Sequence, residues 1–328
     1  MAGKAPTAVL AADIGGTHAR FAIASRGADG IRLAAERKLR VADFTSLETA
    51  LNAYRAEAGE LPARAVMAVA APTEGDVLRF TNNSWVLRPA VLAARLGLES
   101  VRLINDFAAV AHGVAVLPDE ALPHLAGPDV PLPQAGVVTV AGPGTGLGVA
   151  MLLRQDGQVH VLPTEGGHMD FAPLDPLEDR LLARLRGPLR RVSVERVVAG
   201  PGLATIREAL AAFEGRAAAP MDDHALWEAA VAGTDMLARA ALDRWCLSLG
   251  SVLGDLALAH WARGVVLAGG IVPRIRPILA ESGFHARFVA KGRFAQHMAS
   301  LPIRTIAHPE PGLLGAAAAG LSPERPDR

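Results

Sequence analysis

Two glycine turns and a small set of acids carry the chemistry expected of this sequence. The first turn is Asp13-Ile14-Gly15-Gly16-Thr17. Glycines let a backbone approach a phosphate closely and turn N–H groups towards it, and Thr17 adds a hydroxyl donor. Asp13 ends an apolar run, where a carboxylate can hold a magnesium ion, often through water. Alone, the motif is also a plain hairpin turn beside a solvated acid. The second turn, Gly142-x-Gly144-Thr145-Gly146-x-Gly148, spaces glycines at every second position. It lacks the third glycine of a dinucleotide fingerprint and the Lys-Ser/Thr of a P-loop. Either it is a second phosphate cradle or it is a glycine-bent strand pair. A third glycine pair, Gly269-Gly270, closes the run Val265-Val-Leu-Ala268. Three such sites in one chain favour the phosphate reading.

The acids are more ambiguous. Asn105-Asp106 follows an apolar run and precedes a helical pattern. Asp106 there is a helix N-cap, a general base, or both. Glu165-Gly-Gly-His168 places a carboxylate and an imidazole on a glycine-rich loop, suited to hydrogen bonds with sugar hydroxyls. A metal at His168, with His160 or Asp170, is the weaker reading, because no Cys cluster or His-Glu-x-x-His accompanies it. Glu195 stands at a helix start, and residue type alone makes it a solvated first-turn acid.

The elements that must position these residues follow from periodicity. Residues 8–14 and 19–24 form strands around the first turn, with a third strand over 31–41. Thr45-Ser-Leu-Glu48 has the form of a capping box, and Leu47, Leu51, Tyr54 and Ala58 follow at helical spacing. A strand over 65–70 ends at Pro72. Pro89 opens a helix through Leu96, 101–104 is a strand, and 108–116 is helical. Residues 118–133, rich in proline and acids, read as a crossing between domains. Strands at 137–141 and 149–153 then flank the second turn. Helices dominate 177–262, broken at Gly200-Pro-Gly202. Strand 265–268 and a terminal helix over 312–320 complete the chain. Strand, glycine turn and strand thus occur early in each half. Alternating strands and helices argue for α/β layers, with both turns at strand carboxyl ends, where such folds bind ligands.

Composition bounds the partners. The chain of 328 residues is 51% hydrophobic, enough for large cores and about two domains. Lys+Arg and Asp+Glu balance at 33 each, so no broad field favours nucleic acid or an anionic membrane. No signal-peptide pattern precedes Asp13, and prolines and glycines break the uncharged stretch 130–153 as a membrane span. The one cysteine, Cys246, lies in an apolar stretch and reads as a buried thiol in a reducing compartment. A cytoplasmic location is expected.

The motifs, taken in order, resemble the bacterial glucokinases of the hexokinase, heat-shock and actin-like ATPase superfamily. The segments are Ala12-Asp-Ile-Gly-Gly-Thr-His-Ala-Arg20, Phe80-Thr-Asn-Asn-Ser-Trp85, Leu103-Ile-Asn-Asp-Phe107 and Gly142-Pro-Gly-Thr-Gly-Leu-Gly148. They continue with Glu165-Gly-Gly-His-Met-Asp-Phe171, Glu195-Arg-Val-Val-Ala-Gly-Pro-Gly202, Ala268-Gly-Gly-Ile-Val-Pro-Arg274 and Pro311-Gly-Leu-Leu-Gly315. The resemblance implies an α/β, two-domain actin-like ATPase (ribonuclease H-like) fold with an interdomain cleft. The small domain is expected at 1–116 plus 307–328, the large at 117–306. It implies phosphorylation of glucose at the 6-hydroxyl, with ATP and Mg²⁺. Asp106 is then the general base, and Asn105, Asp106, Glu165, His168 and Glu195 hold glucose. Residues 13–17 and 144–146 embrace the nucleotide phosphates, Asp13 holds magnesium, and Gly269-Gly270 lies towards the adenosine. A homodimer is expected. With one cysteine, the zinc motif of the related repressor-and-kinase group is not. His18 and Pro143 depart from the family's usual Asn and small residue. The rivals are a kinase of another hexose, such as mannose, fructose or an amino sugar, and a non-catalytic sugar-sensing actin-like protein. The Lys291-Gly-Arg-Phe294 segment is expected to be a solvated basic turn.

Overall fold

The computed structural model describes residues 7–28, 30–70, 75, 77–80 and 85–322. Pro72 and residues 81–84 of the Phe80–Trp85 motif lie outside the described residues. The chain divides into two compact units, residues 1–118 with 308–328 and residues 119–307.

In the first unit, β1 (Ala8–Ile14), β2 (His18–Gly27) and β3 (Gly30–Arg40) form an antiparallel meander. Helix α1 (Leu47–Ala58) leads to β4 (Arg64–Val69), parallel to β1. A short hairpin of β5 (Leu78–Arg79) and β6 (Val86–Leu87) precedes α2 (Pro89–Leu96). β7 (Ser100–Asn105) then pairs parallel with β4 and runs straight into α3 (Asp106–Val116). The sheet order is β3-β2-β1-β4-β7. β1 reads as an unbroken apolar run because both its faces are covered. Leu10, Ala12 and Ile14 share a core with Leu47, Leu51 and Tyr54, while Val9 and Ala11 belong to a second core. The capping box is one residue later than its expected position. Ser46 and Thr49 exchange side-chain and backbone bonds, and Glu48 instead pairs with Arg95 at 2.6 Å.

The second unit repeats the pattern. β8 (His124–Ala126) is an edge strand, so the segment 118–133 is not a bare crossing but part of this sheet. Arg304, itself buried, holds the segment by donating to the carbonyls of Leu122 and Val130. β9 (Gly136–Pro143), β10 (Leu147–Gln155) and β11 (Gln158–Thr164) form the second meander. Helices α4 (Pro176–Leu189), α5 (Glu195–Val198), α6 (Gly202–Phe213), α7 (Asp223–Ala232) and α8 (Met236–Ala259) follow. β12 (Gly264–Leu267) lies parallel to β9. Helices α9 (Val272–Glu281), α10 (Phe284–Val289) and α11 (Ala295–Ala299) precede β13 (Ile303–Thr305). The order is β11-β10-β9-β12-β13-β8. Its first five strands repeat the order of the first sheet. Two copies of this ribonuclease H-like sheet make the actin-like ATPase fold. Cys246 is buried on α8, and burial pushes its thiol up to about 12. Lys291 is not solvated. Its side chain is 7% exposed, and Nζ meets Asp255 at 2.7 Å and the Ser251 carbonyl at 3.0 Å.

The chain then returns to the first unit as α12 (Pro311–Leu321). This helix crosses α3 at glycines. A Cβ on Gly315 would lie 1.6 Å from the Ala109 carbonyl oxygen, and one on Gly113 2.6 Å from that of Pro311. The contact explains the Pro-Gly-Leu-Leu-Gly motif: only glycine lets the two backbones approach this closely.

Candidate active site

In the first unit the chemistry gathers at the carboxyl ends of β1 and β7, where α3 and α12 begin. Asn105 is the N-cap of α3. Its Oδ1 accepts from Phe107 N at 2.9 Å and Ala108 N at 3.0 Å. The helix therefore begins at Asp106, two residues before the expected start. Asp106 is not the cap; its Oδ1 accepts a 2.8 Å bond from Phe107 N. With Oδ1 engaged, Asn105 presents Nδ2, a donor, to any ligand.

Asp13 lies opposite Arg20 in the β1–β2 register. Arg20 Nη1 is 3.7 Å from Asp13 Oδ2, and Arg20 Nε is 2.5 Å from Glu310 Oε2, just ahead of α12. A Cβ on Gly312 would fall 3.1 Å from Asp13 Oδ2, so the α12 N-terminus rests against this carboxylate. Burial pushes the Asp13 carboxyl up to about 6; Arg20 opposes the rise, and Asp106 and Glu310 add to it. Two further carboxylates, Asp106 and Glu310, thus act on Asp13, while one guanidinium meets Asp13 and Glu310; this excess of negative charge suits a divalent cation. Among the described residues no three His, Cys, Asp or Glu side chains gather to hold an ion by themselves. A cation at Asp13 would take its other ligands from phosphate oxygens and water.

The raised carboxyl has a consequence for stability. Its folded value, about 6, exceeds the ordinary carboxylate value, so the folded state binds the proton more tightly. Stability therefore falls as pH rises from about 4 to about 6, and stays reduced above. Asp13→Asn removes that loss. It is expected to stabilise the protein by about 1–3 kcal/mol at pH 8. The side chain keeps 21% of its surface exposed, which favours the lower end. Thermal melts at pH 8 and pH 4 check this: the gain should vanish at pH 4.

The first glycine turn spends one donor on itself, since Gly15 N–H donates to the His18 carbonyl at 2.9 Å. Gly16 N–H, Thr17 N–H and the exposed Thr17 hydroxyl are the groups a phosphate could meet. Ile14 is buried and offers backbone only.

In the second unit, one place brings together five segments distant in sequence. Gly144 N–H donates to Gly146 O at 2.8 Å across the β9–β10 turn, and Gly144 O accepts from Gly200 N at 2.8 Å. The indole N–H groups of Trp227 and Trp245 hold the Gly200 and Ala199 carbonyls at 3.2 and 3.1 Å. Gly269, at φ +102°, packs so that a Cβ would meet Pro143 O at 2.4 Å. A Cβ on Gly142 would meet Ala268 O at the same distance. Gly144, Thr145 and Gly270 are exposed, and a Cβ on Gly144 or Gly270 would meet nothing within 4 Å.

The acid and imidazole residues meet beside this turn. Glu165 precedes a 3-10 turn, Gly166–His168, whose chain continues antiparallel to residues 192–194 through Phe171 N to Val192 O and Val194 N to Met169 O. That pairing carries Glu195, the first residue of α5, to His168. His168 Nδ1 is 3.7 Å from Glu195 Oε1, and Nε2 is 3.9 Å from Glu165 Oε2. Glu195 is 21% exposed, so it is not the solvated acid its local sequence suggests. Arg191 fixes the loop by donating to the His168 carbonyl and pairing with Asp170 at 2.6 Å. The structure places Asp13, Ile14, Gly15, Gly16, Thr17, Asn105 and Asp106 in the first unit. Gly144, Thr145, Gly146, Glu165, His168, Glu195, Gly269 and Gly270 lie in the second. Arg20, Glu310, Arg191 and the two tryptophans were not foreseen; each acts through a partner far along the chain.

Comparison with known proteins identifies the family and the fold. A sequence model of the Glucokinase family matches residues 10–322. A glucokinase of Zymomonas mobilis is 54% identical over 313 residues, 95% of this chain and 97% of that protein. The crystal structure of a glucokinase from an Antarctic psychrotroph superposes with TM-score 0.85 at 34% identity, covering 95% of this chain and 98% of that one. A ROK family glucokinase from Streptomyces griseus, in complex with glucose and AMPPNP, shares the fold with TM-score 0.62 at 18% identity. It covers 94% of this chain and 98% of that one.

Proposed function

The chain belongs to the glucokinase family, and from that premise we propose how its residues carry out the reaction. The reaction is the ATP-dependent phosphorylation of D-glucose. In our reading the 6-hydroxyl attacks the γ-phosphorus in line, giving glucose 6-phosphate and ADP. Asn105 and Asp106 act on the sugar together with Glu165, His168 and Glu195. Asp106 accepts the 6-hydroxyl proton. The Asn105 amide donates to a sugar oxygen. The Glu165–His168–Glu195 group supplies two acceptors and an imidazole, enough to read several hydroxyls at once.

The phosphates sit against the donors of Gly16, Thr17, Thr145 and Gly146, and Gly269-Gly270 faces the adenosine. Asp13 would hold magnesium, which would supply charge neutralisation on the phosphates. Because phosphoryl transfer asks mainly for positioning and charge balance, these residues provide most of the rate. The two domains close on glucose and exclude water as a rival acceptor. The working form is a cytoplasmic homodimer, as the family resemblance implies.

The observation that supports this reading most is the meeting of His168 with Glu165 and Glu195. Replacing Glu165 or His168 by Ala leaves sugar hydroxyls unpaired, at about 1–3 kcal/mol per lost partner. The glucose KM should rise about five- to a hundredfold, with the ATP KM and Tm unchanged. If both variants keep the wild-type glucose KM, these residues do not hold the sugar.

A further inference from the structure

A basic strip adjoins the first glycine turn and is not used by the reaction above. In the β2–β3 register His18 stands opposite Arg40 and Arg20 opposite Lys38. Directly paired residues share a face, as do residues two apart on one strand, so all four side chains lie together. Asp13 continues the Arg20–Lys38 row on β1. Lys38 is thus two strand spacings, about 10 Å, from Asp13. The same cations reach His18 electrostatically: burial first, then Lys38, Arg20 and Arg40, lower its imidazole below the ordinary value, with Glu310 opposing them.

Arg20 has partners in Asp13 and Glu310. Among the described residues no carboxylate pairs with Lys38 or Arg40, and both are exposed. β3 is the outer strand of its sheet, so the strip is open to solvent. Charge on an outer strand discourages sheet-to-sheet pairing. That duty does not require cations stacked opposite cations, an arrangement that costs stability. An ammonium and a guanidinium without counter-charge, beside an imidazole, match the acceptor oxygens of phosphate.

We propose that His18, Lys38 and Arg40 form a binding site for a phosphate-bearing anion, separate from the phosphate turn at residues 15–17. The site stands whether or not the nucleotide occupies that turn.

The test is calorimetric titration of the full chain with tripolyphosphate and, in parallel, orthophosphate, at low salt and with saturating Mg-ADP. At least one of the two should bind, and the double variant Lys38→Ala/Arg40→Ala should weaken it about tenfold or more. Binding of orthophosphate with that dependence identifies a single phosphate group as sufficient; binding of tripolyphosphate alone identifies a phosphate chain. Arg32→Ala removes the same charge elsewhere on β3 and should change nothing. The kcat with ATP and glucose should match wild type in all variants, which also shows that they fold. Equal binding by wild type and double variant, equal loss in Arg32→Ala, or no binding beside Mg-ADP each overturns the proposal.

Discussion

Asp106→Asn is expected to lower kcat by about 10²–10⁴-fold while the protein stays folded. Two residues stand at the start of α3, and only one of them caps it. Asn105 caps the helix through two backbone donors, so capping does not depend on Asp106. Asp106 Oδ1 accepts one bond from Phe107 N, and an asparagine oxygen can accept it equally. What the substitution removes is a carboxylate able to take a proton. A neutral amide cannot serve as the base at any working pH. Tm should change by no more than a few degrees, and glucose binding by calorimetry should survive in weakened form. A kcat near wild type would contradict the general-base role. Loss of the folded protein would mean that Asp106 serves the structure rather than the reaction.

Gly146→Ala should also damage glucose use, for a steric reason. A Cβ at this position would lie 2.7 Å from Glu195 Oε2. The obstacle is the end of a flexible side chain, so the clash is relieved by swinging Glu195 away rather than by moving backbone. The fold should survive. Glu195 then leaves His168, from which it stands 3.7 Å, and the sugar group loses a member. The glucose kcat/KM should fall about ten- to a hundredfold. Gly142→Ala is the informative contrast. Its Cβ would meet the backbone of Ala268 at 2.4 Å, with no side chain to give way, so that variant should lose stability. Kinetics beside thermal melts separate the two cases. A Gly146→Ala enzyme with normal glucose kinetics would show that Glu195 does not need its place beside the turn.

The contrast also marks where local sequence stops being informative. β1 and β9 were legible because a strand buried on both faces leaves an apolar run, and the glycines after it end the pattern. Pro89 marked the first residue of α2, as proline at a helix start should. Lys291 looks solvated in a Lys-Gly-Arg sequence, yet its charge is matched by Asp255 on α8. Glu195 fails for the same reason: its neighbours in space, His168 and Gly146, are supplied by a chain pairing that no local pattern announces. The Asn105–Asp106 pair shows a subtler limit. Either residue type caps a helix well, and only the geometry assigns the cap to Asn105. The motifs themselves, read in order, carried the resemblance that local physics could not.

The most direct measurement is phosphorus NMR of the purified protein with ATP, magnesium and glucose. The account predicts a glucose 6-phosphate resonance and ADP appearing in equal amounts, with little inorganic phosphate, because the sugar hydroxyl outcompetes water. The same sample with Asp106→Asn should accumulate both products far more slowly. Phosphate appearing on another hydroxyl, or ATP hydrolysis indifferent to glucose, would contradict the account.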